Sequence, residues 1–125
     1  MGLGFDQNLD DIKKFIRLTS EAGCKTYYIH ARNAILDGLS TRKNRSVPPL
    51  RYDDVMKLKR TFPDLKIYIN GGIVNMDVMS ELLTIYGGVM LGRKIYDDPM
   101  FLNDIEKKIF SSNKNLSTHE VICKY

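Results

Sequence analysis

The stretch Leu65-Lys66-Ile67-Tyr68-Ile69-Asn70-Gly71-Gly72 decides the fold of this chain. Its first six residues are mostly apolar, β-branched or aromatic, which is typical of a strand buried in a sheet. Two glycines follow directly, and a backbone without Cβ atoms can turn sharply there and approach a ligand closely. The stretch therefore predicts a buried strand whose carboxyl end opens into a tight turn.

Helix and strand signals alternate on both sides of this stretch. Two more strands are predicted, over residues 25–30 and 89–91. Helices are predicted from the spacing of apolar residues, from caps and from breakers: between Asn8 and Gly23, between Tyr52 and Pro63, from the cap Asn75 to the closing pair Gly87-Gly88, and from Asp98-Pro99 onward. Strands that alternate with amphipathic helices specify a parallel sheet with helices packed outside it.

The predicted fold class is α/β, and the architecture is a partial (βα)8 barrel. A complete barrel needs about 250 residues, so three strands and about four helices in 125 residues correspond to roughly half of one. We expect residues 1–110 to form the C-terminal half, with Leu3-Gly4-Phe5-Asp6 as the end of a preceding strand. Residues 111–125 are expected to be a tail in which a further helix begins near Glu120, so that the chain is cut at both ends.

Composition excludes several classes of protein. With 43% hydrophobic and 27% charged residues, the chain has the profile of one globular domain. It contains no apolar run near the roughly 18 residues of a membrane span and no signal peptide, which favours an intracellular location, either the cytoplasm or an organelle. Cys24 and Cys123 lack metal-ligand spacing, so neither a zinc site nor a disulfide framework is indicated.

Positive charge is concentrated in one segment. The net charge is +4, and residues 30–51 contain five basic residues against one acidic residue. A segment this basic is typical of a surface that faces a polyanion. The alternative interpretation is an ordinary solvated surface loop.

The residues that follow the predicted strands form a candidate phosphate site. In a barrel, ligands bind at the carboxyl ends of the strands, which here carry His30, Asn70-Gly71-Gly72 and Gly92-Arg93. The glycines would direct backbone N–H groups at a phosphate, and Arg93 would add a forked positive donor. Taken alone, the glycine pair is also compatible with a plain tight turn, and His30 with a structural histidine.

No complete set of catalytic groups is evident. Cys24 precedes its strand and is therefore predicted at the end of the barrel away from the ligand. The carboxylates of Asp53, Asp54, Asp97 and Asp98 stand where helix starts favour negative charge. The sequence therefore predicts no catalytic residue and no metal ligand in this chain.

Several motifs, in order, resemble those of one enzyme family. They are His30-Ala31-Arg32-Asn33-Ala34, Gly38-Leu39-Ser40, Lys43-Asn44-Arg45, Val47-Pro48-Pro49-Leu50, Ile69-Asn70-Gly71-Gly72-Ile73 and Gly88-Val89-Met90-Leu91-Gly92-Arg93, followed by Tyr96 and Pro99. Together they closely resemble the tRNA-dihydrouridine synthases of the A subfamily, over about residues 3 to 123.

The resemblance implies a flavin-dependent oxidoreductase that reduces the C5=C6 bond of selected tRNA uridines with FMN that NADPH has reduced. In the family, flavin N5 delivers hydride to uracil C6, and a cysteine on an upstream loop protonates C5. Arg42 and Arg45 match positions where the subfamily contacts tRNA. The residues that the resemblance assigns to FMN, chiefly at its phosphate, are His30, Asn70, Gly71, Gly72, Gly92 and Arg93.

The chain also departs from the family pattern. The upstream half, with the isoalloxazine-binding loops, a flavin-binding lysine and the catalytic cysteine, is missing, as is most of the helical RNA-binding domain. We therefore expect the fragment alone to be inactive and, because a half barrel leaves strand edges open, to self-associate. The alternatives are another FMN or phosphate-binding barrel enzyme, which would not need outward arginines in the basic loop, and a non-catalytic RNA-binding piece.

Overall fold

Three parallel strands form the sheet in the computed structural model, which describes residues 1–4, 8–35, 37–112 and 116–124. The strands are β1 (Thr26–His30), β2 (Lys66–Asn70) and β3 (Val89–Met90), in the order β1-β2-β3. The register places His30 beside Asn70 and Asn70 beside Met90. The carboxyl ends of all three strands therefore lie along one edge, and the predicted parallel α/β arrangement is confirmed.

Seven helices are present in the described residues. They are α1 (Asp10–Glu21), α2 (Thr41–Asn44), α3 (Tyr52–Thr61), α4 (Met76–Tyr86), α5 (Arg93–Asp97), α6 (Phe101–Lys108) and α7 (Thr118–Lys124). The longer ones follow the sequence prediction, whereas α2 and α5 were not predicted. A helix of four or five residues is too short to show a 3.6-residue period.

The helix ends follow local rules. Asn75 caps α4, because its side-chain oxygen accepts a hydrogen bond from the Val78 N–H at 2.9 Å. Gly87 ends the same helix with φ of 71°, a left-handed conformation that glycine adopts without strain. Helix α6 begins at Phe101, two residues later than Pro99, where the sequence predicted its first turn. Asp98 still contributes to that end of the helix, because its backbone carbonyl accepts a hydrogen bond from the Phe101 N–H at 3.2 Å.

One face of the sheet carries the core. Tyr27, Ile29, Ile67 and Ile69 are buried on that face. Helices α3 and α4 cover β2 and contribute further buried side chains, among them Val55, Leu58, Met79 and Leu82. Each fully buried aliphatic side chain contributes roughly 1.5–3 kcal/mol, so this layer is the main source of stability.

The opposite face is more open. Tyr28 and Met90 are 49% and 47% exposed. The rings of Tyr28 and Tyr68 lie 5.3 Å apart in a tilted pair. Tyr68 also packs over Gly88, where an added Cβ would lie 2.4 Å from its ring. Aromatic and apolar groups thus line a sheet face that the described residues leave partly uncovered.

The first residues run beside β1. The Met1 carbonyl accepts a hydrogen bond from the His30 N–H at 2.7 Å, and the Met1 amine donates to the Tyr28 carbonyl at 2.9 Å. This is the pattern of a parallel pair with Met1 beside Ile29. That residues 1–4 are the end of a preceding strand stays a prediction, and Phe5 and Asp6 of that predicted segment lie outside the described residues.

The chain forms two compact units, residues 1–90 and 91–125. In the second unit, Lys94 pairs with Asp98 at 2.8 Å and lies over the Phe101 ring at 4.8 Å. The expected start of a tail at residue 111 stays a prediction. Across the described stretches of both units, no helix combines the length and apolar character that crossing a membrane requires.

Candidate functional site

The side chain of Asn70 connects the carboxyl ends of the three strands. Its amide nitrogen donates to the Met90 carbonyl at 2.6 Å, and its oxygen lies 2.6 Å from Nδ1 of His30. His30 ends β1, Asn70 ends β2 and Met90 ends β3. A single amide group therefore clamps the edge where ligands bind in parallel sheets.

These contacts define the hydrogen positions at the clamp. A carbonyl such as that of Met90 can only accept, so the Asn70 atom beside it must be the amide nitrogen. The other Asn70 atom is then the oxygen, an acceptor, and Nδ1 of His30 must carry the proton that bridges them. The clamp thus sets both the orientation of the imidazole and the protonated state of Nδ1.

Gly71 and Gly72 form a turn that no other residue can adopt without strain. Their φ angles are 106° and 71°. A Cβ on residue 71 would lie 3.0 Å from Cε1 of His30, and a Cβ on residue 72 would lie 2.4 Å from Cδ1 of Leu50. Both backbone conformation and space therefore require glycine at these two positions.

The backbone of this turn has N–H groups that could donate hydrogen bonds to a ligand. Within residues 1–4, 8–35, 37–112 and 116–124, the amide N–H groups of Gly71 and Gly72 donate no hydrogen bond. Successive turn N–H groups without a Cβ between them suit an anion, because they can approach its oxygens closely. The predicted phosphate-binding chemistry is compatible with this turn.

The remaining predicted ligand residues belong to the second compact unit. Gly92 directly precedes α5, and Arg93 is the first residue of that helix. The Arg93 side chain is exposed. The prediction that this segment and the Gly71-Gly72 turn enclose one anion stays a prediction.

Hydrogen bonds from Ser40 and Asn44 organise the basic loop. The Ser40 hydroxyl caps α2 by accepting from the Lys43 N–H at 3.3 Å. The Asn44 side chain accepts from the Ile35 N–H at 2.6 Å and donates to the Ile35 carbonyl at 2.7 Å. Arg42 and Arg45, the predicted tRNA contacts, are both exposed on this loop.

Two of the five basic residues in residues 30–51 make contacts within the protein, which stabilise the fold. Arg32 donates to the Pro48 carbonyl, and Arg51 contacts the side chains of Asn33 and Asp54. The charge excess read from the sequence therefore overstates the charge that is available to a polyanion. The exposed cations of the segment are Arg42, Lys43 and Arg45.

Asp54 is the charged residue buried beneath this segment. Burial by itself would raise the pKa of its carboxyl group, but hydrogen bonds and charge from Lys57 and Arg51 outweigh burial and lower that pKa. Lys57 lies 2.7 Å from the Asp54 carboxylate. The ion pairs fix the start of α3, from which Tyr52 reaches the glycine turn.

Sequence reasoning missed Tyr52 as a site residue and assigned it to a helix face. Its hydroxyl donates to the Gly71 carbonyl at 2.7 Å, across 19 positions of sequence. Tyr86 in turn donates to the Tyr52 carbonyl at 2.7 Å. Nothing in the local pattern distinguishes Tyr52 from an ordinary apolar residue in the first turn of a helix, so no sequence signal could have identified it.

Neither cysteine is one of the residues that form the clamp. Cys24 is exposed and precedes β1, at the end of the strand opposite His30. Cys123 is exposed on α7, with its sulfur 3.6 Å from Nε2 of His119. Across the described ranges, no group of three or more His, Cys, Asp or Glu side chains could hold a metal ion.

Comparison with known proteins places these features in one family. Residues 1–124 match the family model described as "Dihydrouridine synthase (Dus)". The tRNA-dihydrouridine(20/20a) synthase of Pseudomonas putida is 42% identical over 113 residues, which is 90% of this chain and 34% of the relative. The proteins of that name from Synechocystis and Shewanella oneidensis are 38% and 37% identical, over 88% and 98% of this chain and 33% and 36% of their own lengths.

The chain thus spans about a third of the length of the curated relatives it matches. The match runs through the strand-end clamp, the glycine turn and the basic loop. The family predicted from the sequence motifs is therefore confirmed, and this chain belongs to the dihydrouridine synthase family.

Proposed function

We propose that this chain is the part of a tRNA-dihydrouridine synthase that holds the phosphate of FMN and contacts tRNA. The whole enzyme would reduce uridine in tRNA to 5,6-dihydrouridine with NADPH as reductant. The chain would supply the C-terminal half of a (βα)8 barrel. The observation that carries the proposal is the family match over residues 1–124, which includes a glycine turn whose N–H groups are suited to an anion.

The described residues fit the phosphate of FMN. The turn at Gly71 and Gly72 has two backbone donors, and only glycine can occupy it, because His30 and Leu50 lie where a Cβ would be. His30 and Asn70 frame the turn, and the guanidinium of Arg93, with Gly92 before it, would add positive charge. These six residues are the ones we assign to FMN.

The chemistry that FMN supplies when bound is hydride transfer to the C5=C6 bond of the uracil ring. The residues of this chain would bind and orient the cofactor, and none of them would move a proton to the substrate. We assign the proton-donating cysteine to the part of the enzyme outside this chain, because Cys24 lies at the opposite end of β1 from His30. The isolated chain is therefore expected to be inactive.

The basic loop is the proposed tRNA contact. Arg42 and Arg45 are exposed, and the loop that carries them is ordered by its own hydrogen bonds. Arginine contacts to RNA phosphates contribute affinity and register. Reaching a uridine in folded tRNA also requires flipping it into a pocket, to which this chain would supply one wall.

Three titrations of the 125-residue chain test the proposal: FMN, riboflavin and tRNA. Riboflavin has the same ring system without the phosphate, so we expect FMN to bind more tightly than riboflavin, and tRNA to bind as well. Affinity for FMN without affinity for tRNA would favour another phosphate-binding barrel enzyme. Affinity for tRNA without preference for FMN would favour a non-catalytic RNA-binding piece. Hydride transfer from NADPH to tRNA uridine by this chain would contradict the predicted inactivity.

The open sheet face supports a proposal of self-association. Tyr28 and Met90 expose apolar surface there, and such surfaces favour association. We expect sedimentation velocity to show a concentration-dependent oligomer that Tyr28→Lys weakens. Tyr96→Lys is the control, because Tyr96 is 88% exposed and lies outside the sheet. A monomer at high concentration would contradict self-association.

A further inference from the structure

The hydroxyl of Tyr52 contacts the glycine turn. It donates to the Gly71 carbonyl at 2.7 Å. It also lies 2.7 Å from the position that a Cβ on residue 72 would occupy. Tyr52 is the first residue of α3, so a rigid helix holds its backbone. The turn is thus in contact with an element that is distant in sequence.

This contact determines where the turn directs its donor. The C=O and N–H groups of a trans peptide point in opposite directions, and no peptide bond in the described residues is cis. Because the Gly71 carbonyl is held toward Tyr52, the N–H of Gly72, in the same peptide unit, points away from Tyr52. That N–H is one of the two turn donors suited to an anion.

Without such a contact the turn would have alternatives. Two successive glycines restrict their backbone angles less than any other residue pair, so the peptide unit between them can rotate at low cost. Rotation by half a turn would direct the Gly71 carbonyl oxygen to where the Gly72 N–H now points. A carbonyl oxygen repels an anion, so only one of the two orientations is compatible with phosphate.

Tyr52 is itself held in place. Tyr86, which is 3% exposed, donates its hydroxyl to the Tyr52 carbonyl at 2.7 Å, and Lys59 donates to the Tyr86 carbonyl at 2.7 Å. Burial raises the pKa of Tyr52 and raises the pKa of Tyr86 to about 12. Both phenols therefore stay protonated and remain donors over the physiological range of pH.

We propose that Tyr52 is a positioning residue of the anion site: its hydroxyl holds the Gly71–Gly72 peptide in the orientation that presents the Gly72 N–H to a phosphate. The inference rests on the proposed function, since it assumes that the turn binds the phosphate of FMN. It assigns to Tyr52 no contact with the flavin ring or with the uridine.

The test compares Tyr52→Phe with Tyr27→Phe in the 125-residue chain. Both changes remove one phenol hydroxyl that bonds to a backbone carbonyl, but Tyr27 bonds to Ile16 at 3.2 Å, on the helix-covered face of the sheet. The readout is the ratio of FMN to riboflavin affinity. We expect Tyr52→Phe to lower FMN affinity about fivefold to tenfold, the size of one lost hydrogen bond, with riboflavin affinity unchanged. Tyr27→Phe should preserve the ratio.

A second readout needs no flavin. In 1H–15N spectra, inorganic phosphate should shift the Gly72 amide signal of the unaltered chain and of Tyr27→Phe, and it should shift that signal much less in Tyr52→Phe. A stability loss alone would lower the folded fraction and leave the response of folded molecules intact.

The outcomes separate the two proposals. If the unaltered chain prefers FMN and Tyr52→Phe keeps the full preference and the full phosphate response, the role of Tyr52 is overturned and the proposed function stands. If the unaltered chain neither prefers FMN nor responds to phosphate, phosphate binding by the turn is overturned, and the role of Tyr52 with it.

Discussion

The amide nitrogen of Asn70 lies 2.6 Å from the carbonyl oxygen of Met90, so a side chain supplements the backbone pairing of a strand that has only two residues. The same side chain holds His30 at the end of β1. The edge where the ligand would bind therefore depends on one amide group.

Replacement of Asn70 should destabilise the chain and weaken FMN binding together. Asn70→Ala leaves the Met90 carbonyl and the Nδ1–H of His30 without this partner, and we expect a loss of about 1–3 kcal/mol in the free energy of unfolding. We expect Asn70→Asp to be no more stable than Asn70→Ala, because it places a carboxylate against the Met90 carbonyl. Urea denaturation measures the loss. Lys14→Ala, at an exposed residue of α1, is the control, and equal stability of all the variants would contradict the clamp.

Replacement of Gly72 should cost more than its backbone angle explains. Gly72 and Gly87 both have φ of 71°, so alanine is strained at either position. At residue 72 the new Cβ would also lie 2.4 Å from Leu50, whereas at residue 87 it would meet no described atom within 4 Å. We expect Gly72→Ala to lower the free energy of unfolding by about 1–3 kcal/mol more than Gly87→Ala does, as measured by thermal or urea denaturation. Equal losses would show that Leu50 moves aside without cost.

The Asp54 ion pairs predict a specific dependence of stability on pH. The folded-state pKa of Asp54 lies below its ordinary value of 3.8, so its contribution is complete above that value and is lost as pH falls through the folded-state pKa. Asp54→Asn should lower the free energy of unfolding at neutral pH by about 1–3 kcal/mol and should remove part of the acid sensitivity. Asp53→Asn, at the exposed neighbour, is the matched control. An unchanged acid profile in Asp54→Asn would contradict the assignment.

The two exposed loop arginines should affect tRNA binding through charge. Arg42→Ala combined with Arg45→Ala should weaken tRNA affinity and reduce the slope of log affinity against log salt by about 1–2. Arg17→Ala combined with Arg60→Ala removes the same charge from exposed sites on α1 and α3. Filter binding at several salt concentrations measures both pairs. Similar effects from the two pairs would indicate unspecific attraction by net charge.

Local patterns were sufficient to predict the strands, the longer helices and the caps at Asn75 and Gly87, because each depends on residues within a few positions of one another. The hydrogen bond between Asn70 and His30 joins residues 40 apart, and that between Tyr52 and Gly71 joins residues 19 apart. Such pairs are determined by how elements pack in the folded chain. Sequence reasoning could therefore predict the glycine turn as a candidate site, but it could not predict which distant side chains contact that turn.

The sequence predicts the total positive charge of the basic segment, but it does not predict which arginines face solvent and which make contacts inside the protein. Arg51 carries the same charge as Arg42, but its side chain is directed to Asp54 and Asn33. The residue type alone does not distinguish a cation that builds a loop from one that faces solvent. Only the contacts of each side chain make that distinction.

The loop after β1 is shaped by Ser40 and Asn44 and by contacts of Arg32 and Arg51, whereas Arg42 and Arg45 are exposed. Some charged side chains of this loop thus fix its path, and others present charge to solvent. Replacement of Arg42 would therefore change the charge that the loop presents to a partner while the hydrogen bonds of Ser40 and Asn44 that set its path remain.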